Sequence, residues 1–179
     1  MAKVLLMIEK GFEDAEAIYP YYRMREAGFD VAIVGPSTGT AYHGKYGYPF
    51  IADIEPAGVQ INDYAALIIP GGQAPERLRV HDEMVELVKA AYKAGLVVAA
   101  ICHGPQMLIE GDLLRGRNAT CYKSILTDML NAGAIYHDLP VIVDGRMITS
   151  RMPVDLPDFC HQIVALIKDD EGGKKNGCC

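Results

Sequence analysis

The chain alternates short, wholly apolar runs with amphipathic segments, and this alternation restricts its possible folds more than any other feature. Residues 96–101 form the most continuous apolar run, as expected for a central strand that is covered on both faces. Residues 81–94 contrast with it, because their apolar side chains recur at helical spacing and Gly95 follows them. Strands that alternate with helices form a parallel sheet between helical layers. The predicted fold class is therefore α/β.

The same patterns place the remaining elements. Strands are predicted at residues 4–8, 31–34 and 65–69, helices at 13–27, 105–109, 125–131 and 155–168, a small β excursion at 40–51, and a hairpin at 141–149 around the Asp144-Gly145 turn. A chain of 179 residues suits one domain, which we expect to span residues 1–168. Residues 169–179 lack apolar periodicity, so a flexible tail is predicted there, ending in Cys178 and Cys179.

Charge and composition exclude several classes of function. The formal net charge is −6 without a basic stripe, so no nucleic-acid partner is predicted. No apolar run is long enough to cross a bilayer and no signal peptide is recognisable, so neither a membrane role nor export is expected. The five cysteines include no CxxC pair, and HExxH is absent, so no metal or cofactor is predicted. An odd number of cysteines favours free thiols in a reducing compartment, which we expect to be the cytoplasm.

The ends of three predicted strands carry the chemically interesting residues. In open parallel sheets, ligands bind beyond the carboxyl ends of the strands. Cys102 follows the central run, and Gly104 and Pro105 then begin a helix, so the thiol is predicted to lie on a sharp strand-to-helix turn. The positive end of that helix favours the thiolate. The alternative is a buried cysteine that only packs.

The neighbours of Cys102 leave several alternatives open. His103 is either the base for the thiol or a residue that faces solvent at the helix start. Glu13 follows the first strand and is predicted to be the proton-donating carboxyl, although it also suits the start of the first helix. Gly71 and Gly72 allow backbone N–H groups to approach a carbonyl oxygen, but such a pair is also typical of a simple turn.

Six stretches, taken in order, resemble the DJ-1/PfpI superfamily, and its PfpI branch of intracellular proteases in particular. They are residues 12–20, 70–77, 100–106, 114–117, 128–133 and 149–157. The resemblance implies a flavodoxin-like α/β/α sandwich. One departure is Cys121, which stands where a small hydroxyl residue is more usual in the family.

The resemblance also implies roles for individual residues. It marks Cys102 as the nucleophile and Glu13 as the carboxyl that hydrogen-bonds it, with Gly72 and the His103 amide as oxyanion donors. It implies that His103 belongs to a triad completed by Glu76 of a neighbouring subunit. Tyr122 is then expected to line the pocket, and the chains are expected to form dimers or hexamers.

Three functional hypotheses follow. The first is a cysteine-dependent hydrolase of small reactive carbonyls, similar to a glyoxalase or deglycase, with peptide cleavage as a secondary activity. The second is a redox-sensing or chaperone-like stress protein that uses an oxidisable Cys102. A glutamine amidotransferase is rejected, because His161 is followed by Gln162 within a predicted helix and not by a glutamate.

Overall fold

The computed structural model describes residues 2–175, with side chains described up to residue 170. The strands are β1 (Lys3–Met7), β2 (Asp30–Val34), β3 (Ala41–His43), β4 (Pro49–Ile51), β5 (Tyr64–Ile69), β6 (Val97–Ile101), β7 (Asn118–Ala119), β8 (Ile135–Tyr136), β9 (Val141–Asp144) and β10 (Met147–Ser150). The helices are α1 (Asp14–Glu26), α2 (Ala74–Leu78), α3 (Asp82–Lys93), α4 (Gln106–Glu110), α5 (Leu126–Asn131) and α6 (Leu156–Lys175).

A six-stranded sheet forms the centre of the fold, with strand order β2-β1-β5-β6-β10-β9. Its neighbouring strands are parallel except for β9 and β10, which form the predicted antiparallel hairpin. Helices α1 and α6 pack together, as do α3 and α4, and α3 also contacts β5 and β6. This arrangement is the flavodoxin-like sandwich that the alternation of elements and the family resemblance predicted.

The hydrophobic core lies along the central strands. Every residue of β6 is fully buried, as are the last four residues of β1. Because helices cover both faces of these strands, their side chains do not alternate between the core and water. The sequence of these buried stretches is therefore an unbroken run of apolar residues. The carboxyl ends of β1, β5 and β6 are therefore held side by side on a rigid base.

Smaller features agree with the prediction in part. Strands β3 and β4 form the expected hairpin excursion. The parallel pair β7–β8 was not predicted, because strands of two residues are too short to show a periodicity.

The predicted end of the last helix is wrong. Helix α6 continues to Lys175 and does not stop at Lys168, so the first seven residues assigned to a flexible tail are helical. The apolar stripe ends before residue 169, and the extension contains Gly172 and Gly173, which are poor helix formers, so neither periodicity nor helix propensity predicts it. Residues 176–179, including the two terminal cysteines, lie outside the described residues.

In residues 2–175, no helix is both long enough and apolar enough to pass through a bilayer.

Candidate active site

Cys102 lies on a tight turn directly after β6, as the sequence predicted. Its φ of 63° falls in the left-handed region that non-glycine residues seldom adopt. The turn is held at both ends, since the Cys102 N–H donates to Ser150 O at 3.0 Å and the Gly104 N–H donates to Ile101 O at 2.7 Å. A Cβ at Gly104 would collide with the carbonyl oxygen of Ile69, so the turn requires glycine there. Strained non-glycine residues of this kind cluster at functional sites.

The Cys102 thiol is less open than the sequence suggested. The residue is 8% exposed. Burial raises the pKa of the Cys102 thiol, the negative charge of Glu16 raises it further, and the nearby backbone N–H groups of Gly72 and His103 lower it. The backbone N–H groups favour the thiolate, as expected, but the burial of the sulfur and the charge of Glu16 oppose them and have the larger effect.

Glu16, and not Glu13, is the carboxyl beside Cys102. Glu16 is fully buried, and its Oε2 accepts a hydrogen bond from the Gly71 N–H at 2.8 Å. Burial raises the pKa of Glu16 to about 7, against a lowering by the Gly71 hydrogen bond. A Cβ added to Gly71 would touch both Glu16 Oε2 at 2.7 Å and Cys102 Cβ at 2.8 Å, which shows how closely the two side chains approach.

Glu13 lies at the mouth of the same pocket. It immediately precedes α1, and its Oε2 lies 3.5 Å from Lys45 Nζ. The assignment of the sulfur-contacting carboxyl to Glu13 is corrected for a physical reason. The first turn of α1 carries position 16 under the helix toward the sheet, where it shares a buried stripe with Ala17, Pro20 and Met24.

The two glycines after β5 differ in what their backbone can do. The Gly71 N–H is committed to Glu16, so the expectation that Gly71 contributes an oxyanion donor is wrong. The Gly72 N–H faces the Cys102 sulfur, as does the N–H of His103. Gly72 has a φ of 75°, and a Cβ there would collide with backbone atoms of Gly11 and Glu13. The close approach therefore depends on glycine.

The imidazole of His103 turns back toward the Cys102 sulfur. Its Nδ1 lies 3.3 Å from Cys102 Sγ, which resolves the open question of where this ring points. Its Nε2 lies 2.9 Å from Ser124 Oγ. The ring of Tyr122 lies beside it, with centroids 5.4 Å apart. Burial lowers the pKa of His103 below its usual value, and the charge of Glu76 opposes that lowering.

A pocket of about 430 Å³ opens above the sulfur. The predicted site residues Glu13, Gly72, Glu76, Cys102, His103 and Tyr122 line it, together with Glu16, Lys45, Gln73, Gln106 and Pro153. Glu76 is exposed on α2, and it borders this pocket within its own chain. A neighbouring groove of about 730 Å³ shares Glu13 but continues over α1, away from the sulfur.

The sequence analysis missed several residues of this site, and three of them contact or adjoin its ionisable groups: Glu16, Lys45 and Ser124. Glu16 could have been recognised from the sequence, because it occupies a position on the apolar stripe of α1. Burying a carboxylate at such a position costs free energy, so its presence indicates a specific role. Lys45 and Ser124 could not have been recognised in this way, because each reaches the site from a distant loop. Within the described part of the chain, no cluster of histidine, cysteine and acidic side chains has a geometry suited to a metal ion.

Comparison with known proteins identifies the family of the chain. The DJ-1/PfpI family profile matches residues 2–166. An uncharacterized protein of Archaeoglobus fulgidus is 46% identical over 166 residues, which cover 93% of this chain and 98% of that protein. A Pyrococcus horikoshii protein named as a deglycase is 43% identical over 166 residues, covering 93% of this chain and 99% of its own.

A solved structure from Anabaena variabilis is similar as well. It is a two-domain protein containing DJ-1/ThiJ/PfpI-like and ferritin-like domains, and it matches with a TM-score of 0.91 and 43% identity. The match covers 92% of this chain and 48% of that protein, so the chain spans about half its length. On the family profile and these similarities, the chain belongs to the DJ-1/PfpI family.

Proposed function

We propose that this protein is a cysteine-dependent enzyme that acts on small reactive carbonyl compounds, in the manner of a glyoxalase or deglycase. The observation that carries the proposal is the surroundings of one sulfur atom. Cys102 Sγ lies on a strained turn, 3.3 Å from His103 Nδ1, beside a buried carboxyl and facing two backbone N–H groups. These are the parts that nucleophilic addition to a carbonyl requires.

The Cys102–Glu16 pair supplies the nucleophile and a proton. The active state of the pair carries one proton, held by either the sulfur or the carboxyl. Glu16 Oε1 has no hydrogen-bond partner among the residues whose side chains are described, 2–170, so it is free to hold that proton. With the proton on Glu16, the sulfur is a thiolate.

A balanced route for methylglyoxal follows. Sγ adds to the aldehyde carbon, the developing oxyanion faces the N–H groups of Gly72 and His103, and the proton from Glu16 neutralises it. A base in the pocket, Glu16 or His103, then removes the hydrogen of that carbon as a proton while the ketone oxygen takes up a proton, which gives an enediol. The neighbouring carbon next takes a proton, and the hydroxyl on the sulfur-bound carbon loses its proton to become the thioester carbonyl. The aldehyde carbon is thereby oxidised to a thioester while the ketone carbon is reduced to an alcohol. Water cleaves the thioester to lactate and restores the thiol.

The size and character of the pocket support small substrates. A space of about 430 Å³ easily contains a three-carbon carbonyl compound or the modified end of one side chain. A carbonyl adduct on an amine or thiol presents the same carbon skeleton to Sγ. The deglycase name of the Pyrococcus horikoshii relative is consistent with this substrate class.

The test of the proposal is methylglyoxal consumption with lactate measured by NMR. We expect Cys102→Ala to abolish turnover. Cys160→Ala is the matched control, because Cys160 is also buried but lies on α6 outside the pocket, and it should retain the parent rate. Turnover that persists in Cys102→Ala would contradict the mechanism.

The same experiment weighs the redox hypothesis. Burial raises the pKa of the Cys102 thiol and slows its oxidation and its addition to carbonyls alike, so the two hypotheses differ in turnover and not in the ionisation of the thiol. Selective oxidation of Cys102 by mild peroxide, seen by mass spectrometry with no turnover on any carbonyl tested, would favour the sensor over the enzyme.

Peptide cleavage is a second candidate because His103 Nδ1 lies close to Sγ and can protonate a leaving amine. The measurement is release of a chromophore from short peptides by the parent and by His103→Gln. We expect cleavage that is weak relative to carbonyl turnover and lost in the variant.

We further propose that the chains form homo-oligomers in which Glu76 of one subunit approaches His103 of another. The exposed position of Glu76 on α2 makes it available to a neighbour as well as to its own chain. Mixing Cys102→Ala with Glu76→Gln tests this directly. If Glu76 acts across an interface, the mixture regains activity that neither variant has. If the mixture stays inactive, Glu76 acts only within its own chain.

We also place the protein in a reducing compartment, the cytoplasm. The support is that Cys102, Cys121 and Cys160, the cysteines within residues 2–175, are free thiols.

A further inference from the structure

His103 has a hydrogen-bonding partner on each ring nitrogen. Nδ1 faces Cys102 Sγ at 3.3 Å, and Nε2 faces Ser124 Oγ at 2.9 Å. A histidine that acts as a base needs a third group to hold its ring toward the nucleophile. We propose that Ser124 is this positioning residue, and that it completes a Cys102–His103–Ser124 arrangement within one chain. The inference rests on the proposed function and adds a residue to its machinery.

The segment that carries Ser124 is attached directly to the nucleophile turn. The N–H of Tyr122 donates to the carbonyl oxygen of Cys102 at 3.0 Å, and the N–H of Ile125 closes the following turn onto Tyr122 O at 3.1 Å. Ile125 is buried and anchors the segment in the core. Ser124 therefore moves together with the turn that holds the sulfur, so its distance from the imidazole is set by backbone contacts.

The same segment also limits rotation of the imidazole from the side. The Tyr122 ring lies at an interplanar angle of 31° to the His103 ring, with their centroids 5.4 Å apart. An aromatic neighbour restrains the plane of the imidazole, but it still allows the ring to rotate by 180° about the Cβ–Cγ bond. The Ser124 hydroxyl opposes that flip, because a flipped ring would lose both nitrogen contacts.

Charged groups near His103 do not perform this task. Glu76 and Lys45 both influence the imidazole electrostatically, Glu76 favouring its charged form and Lys45 opposing it. Among the side chains of residues 2–170, the hydrogen-bond partners of the ring are Cys102 and Ser124. Ser124 is therefore the group that orients the ring, and Glu76 acts on its charge.

A hydroxyl suits a neutral imidazole better than a carboxylate does. When the thiol donates to Nδ1, the Nε2–H donates to Ser124 Oγ. When Nδ1 carries the proton, the serine hydroxyl rotates and donates to Nε2. Ser124 thus supports both tautomers, whereas a carboxylate only accepts and would favour the cation.

The first test is a comparison of kcat and KM for methylglyoxal. Ser124→Ala should lower kcat about tenfold through loss of ring orientation, with KM changed less than about twofold. Ser124→Thr keeps a hydroxyl and should recover most of the loss. Thr127→Ala is the matched control, because it removes an exposed hydroxyl from α5 three residues further on.

The second test does not depend on turnover. An oriented His103 assists ionisation of the thiol, so Ser124→Ala should slow alkylation of Cys102 by iodoacetamide at neutral pH severalfold, and Ser124→Thr should restore it. In a His103→Gln background, Ser124→Ala should have no further effect, because the serine acts through the imidazole.

The outcomes separate this inference from the proposed function. Slower alkylation in Ser124→Ala without carbonyl turnover in the parent would leave Ser124 in place and remove the enzyme proposal. Unchanged kcat and alkylation in Ser124→Ala, a Ser124→Thr as slow as the alanine variant, or an effect that persists without His103 would each overturn the role of Ser124.

Discussion

At the scale of single residues, the position of one carboxyl determines the chemistry of the site. Glu13 and Glu16 are three residues apart and line one pocket, yet only Glu16 is fully buried beside the sulfur. Burial makes ionisation of Glu16 costly, and the Gly71 N–H offsets part of that cost. Glu16 is thus poised to exchange a proton near neutral pH, which an exposed glutamate does not do.

Glu16 should make the stability of the fold depend on pH. Its pKa rises from 4.5 to about 7 on folding, so the folded state binds more protons between these values and stability falls as the pH rises through this window. The loss amounts to about 3 kcal/mol above pH 7. Glu16→Gln should flatten the slope, measured by urea unfolding at pH 5 and pH 8. Glu26→Gln, which removes a carboxyl at the exposed end of the same helix, is the control and should keep the parent slope. Equal slopes in the parent and Glu16→Gln would contradict the assignment.

The same group should shape the rate profile. The one-proton state of the Cys102–Glu16 pair forms as the pH rises through about 7, so kcat/KM for methylglyoxal should rise over that range. Glu16→Gln should lower kcat/KM by about 100-fold or more. A rising limb well below pH 6 would indicate that the titrating group is not Glu16.

At the scale of elements, the β3–β4 hairpin is fastened to the start of α1 by Asp14. Asp14 is buried, and its two carboxylate oxygens accept the N–H groups of Tyr46 at 2.8 Å and Tyr48 at 3.0 Å. Gly44 packs so tightly on Asp14 that a Cβ there would contact its Oδ2 at 2.5 Å. The hairpin tip thereby brings Lys45 to the pocket mouth.

Removal of this fastening should loosen the hairpin. Asp14→Ala leaves the Tyr46 and Tyr48 amides without their acceptor, so both should exchange with solvent faster, and unfolding free energy should fall by about 1–3 kcal/mol. Hydrogen exchange followed by mass spectrometry or NMR measures the first effect. Glu26→Ala, at the exposed end of the same helix, should change neither. Unaltered exchange at both tyrosines would show that Asp14 does not hold the hairpin.

At the scale of the whole molecule, α6 packs the C-terminal part of the described chain against the same core that α1 covers near the N-terminus. Its buried face includes Phe159, Ile163 and Ile167, and it packs on both α1 and the central strands. Beyond this face, Arg146 pairs with Asp170, and both side chains are partly exposed. Arg146 also donates to the carbonyl oxygens of Gly95 and Leu166, which lie before residue 168.

We therefore expect residues 1–168 to fold as one domain. A chain truncated after Lys168 loses a partly exposed ion pair but none of the buried face, so its unfolding free energy should stay within about 1 kcal/mol of the parent. Its thermal transition should be single and cooperative. Two transitions, or a truncated chain that does not fold, would contradict the single domain.

The sequence by itself determined the frame of the fold and the position of Cys102 on a tight turn. Both rest on local patterns: apolar runs at β1, β5 and β6, helical spacing in α3, and a Gly-Pro pair two residues after Cys102. Such patterns persist in the structure because burial on both faces and the steric demands of a tight turn act over a few neighbouring residues.

Only the tertiary structure decided which groups meet at the sulfur. The rotation of α1 over the sheet places Glu16, and not Glu13, beside the sulfur. Glu16 in turn accepts the hydrogen bond of the Gly71 N–H. Ser124, which contacts the His103 ring, lies 21 residues further along the chain. The pKa of the thiol likewise depends on how much water the assembled pocket excludes. These quantities arise from contacts between distant segments, and no local periodicity records them.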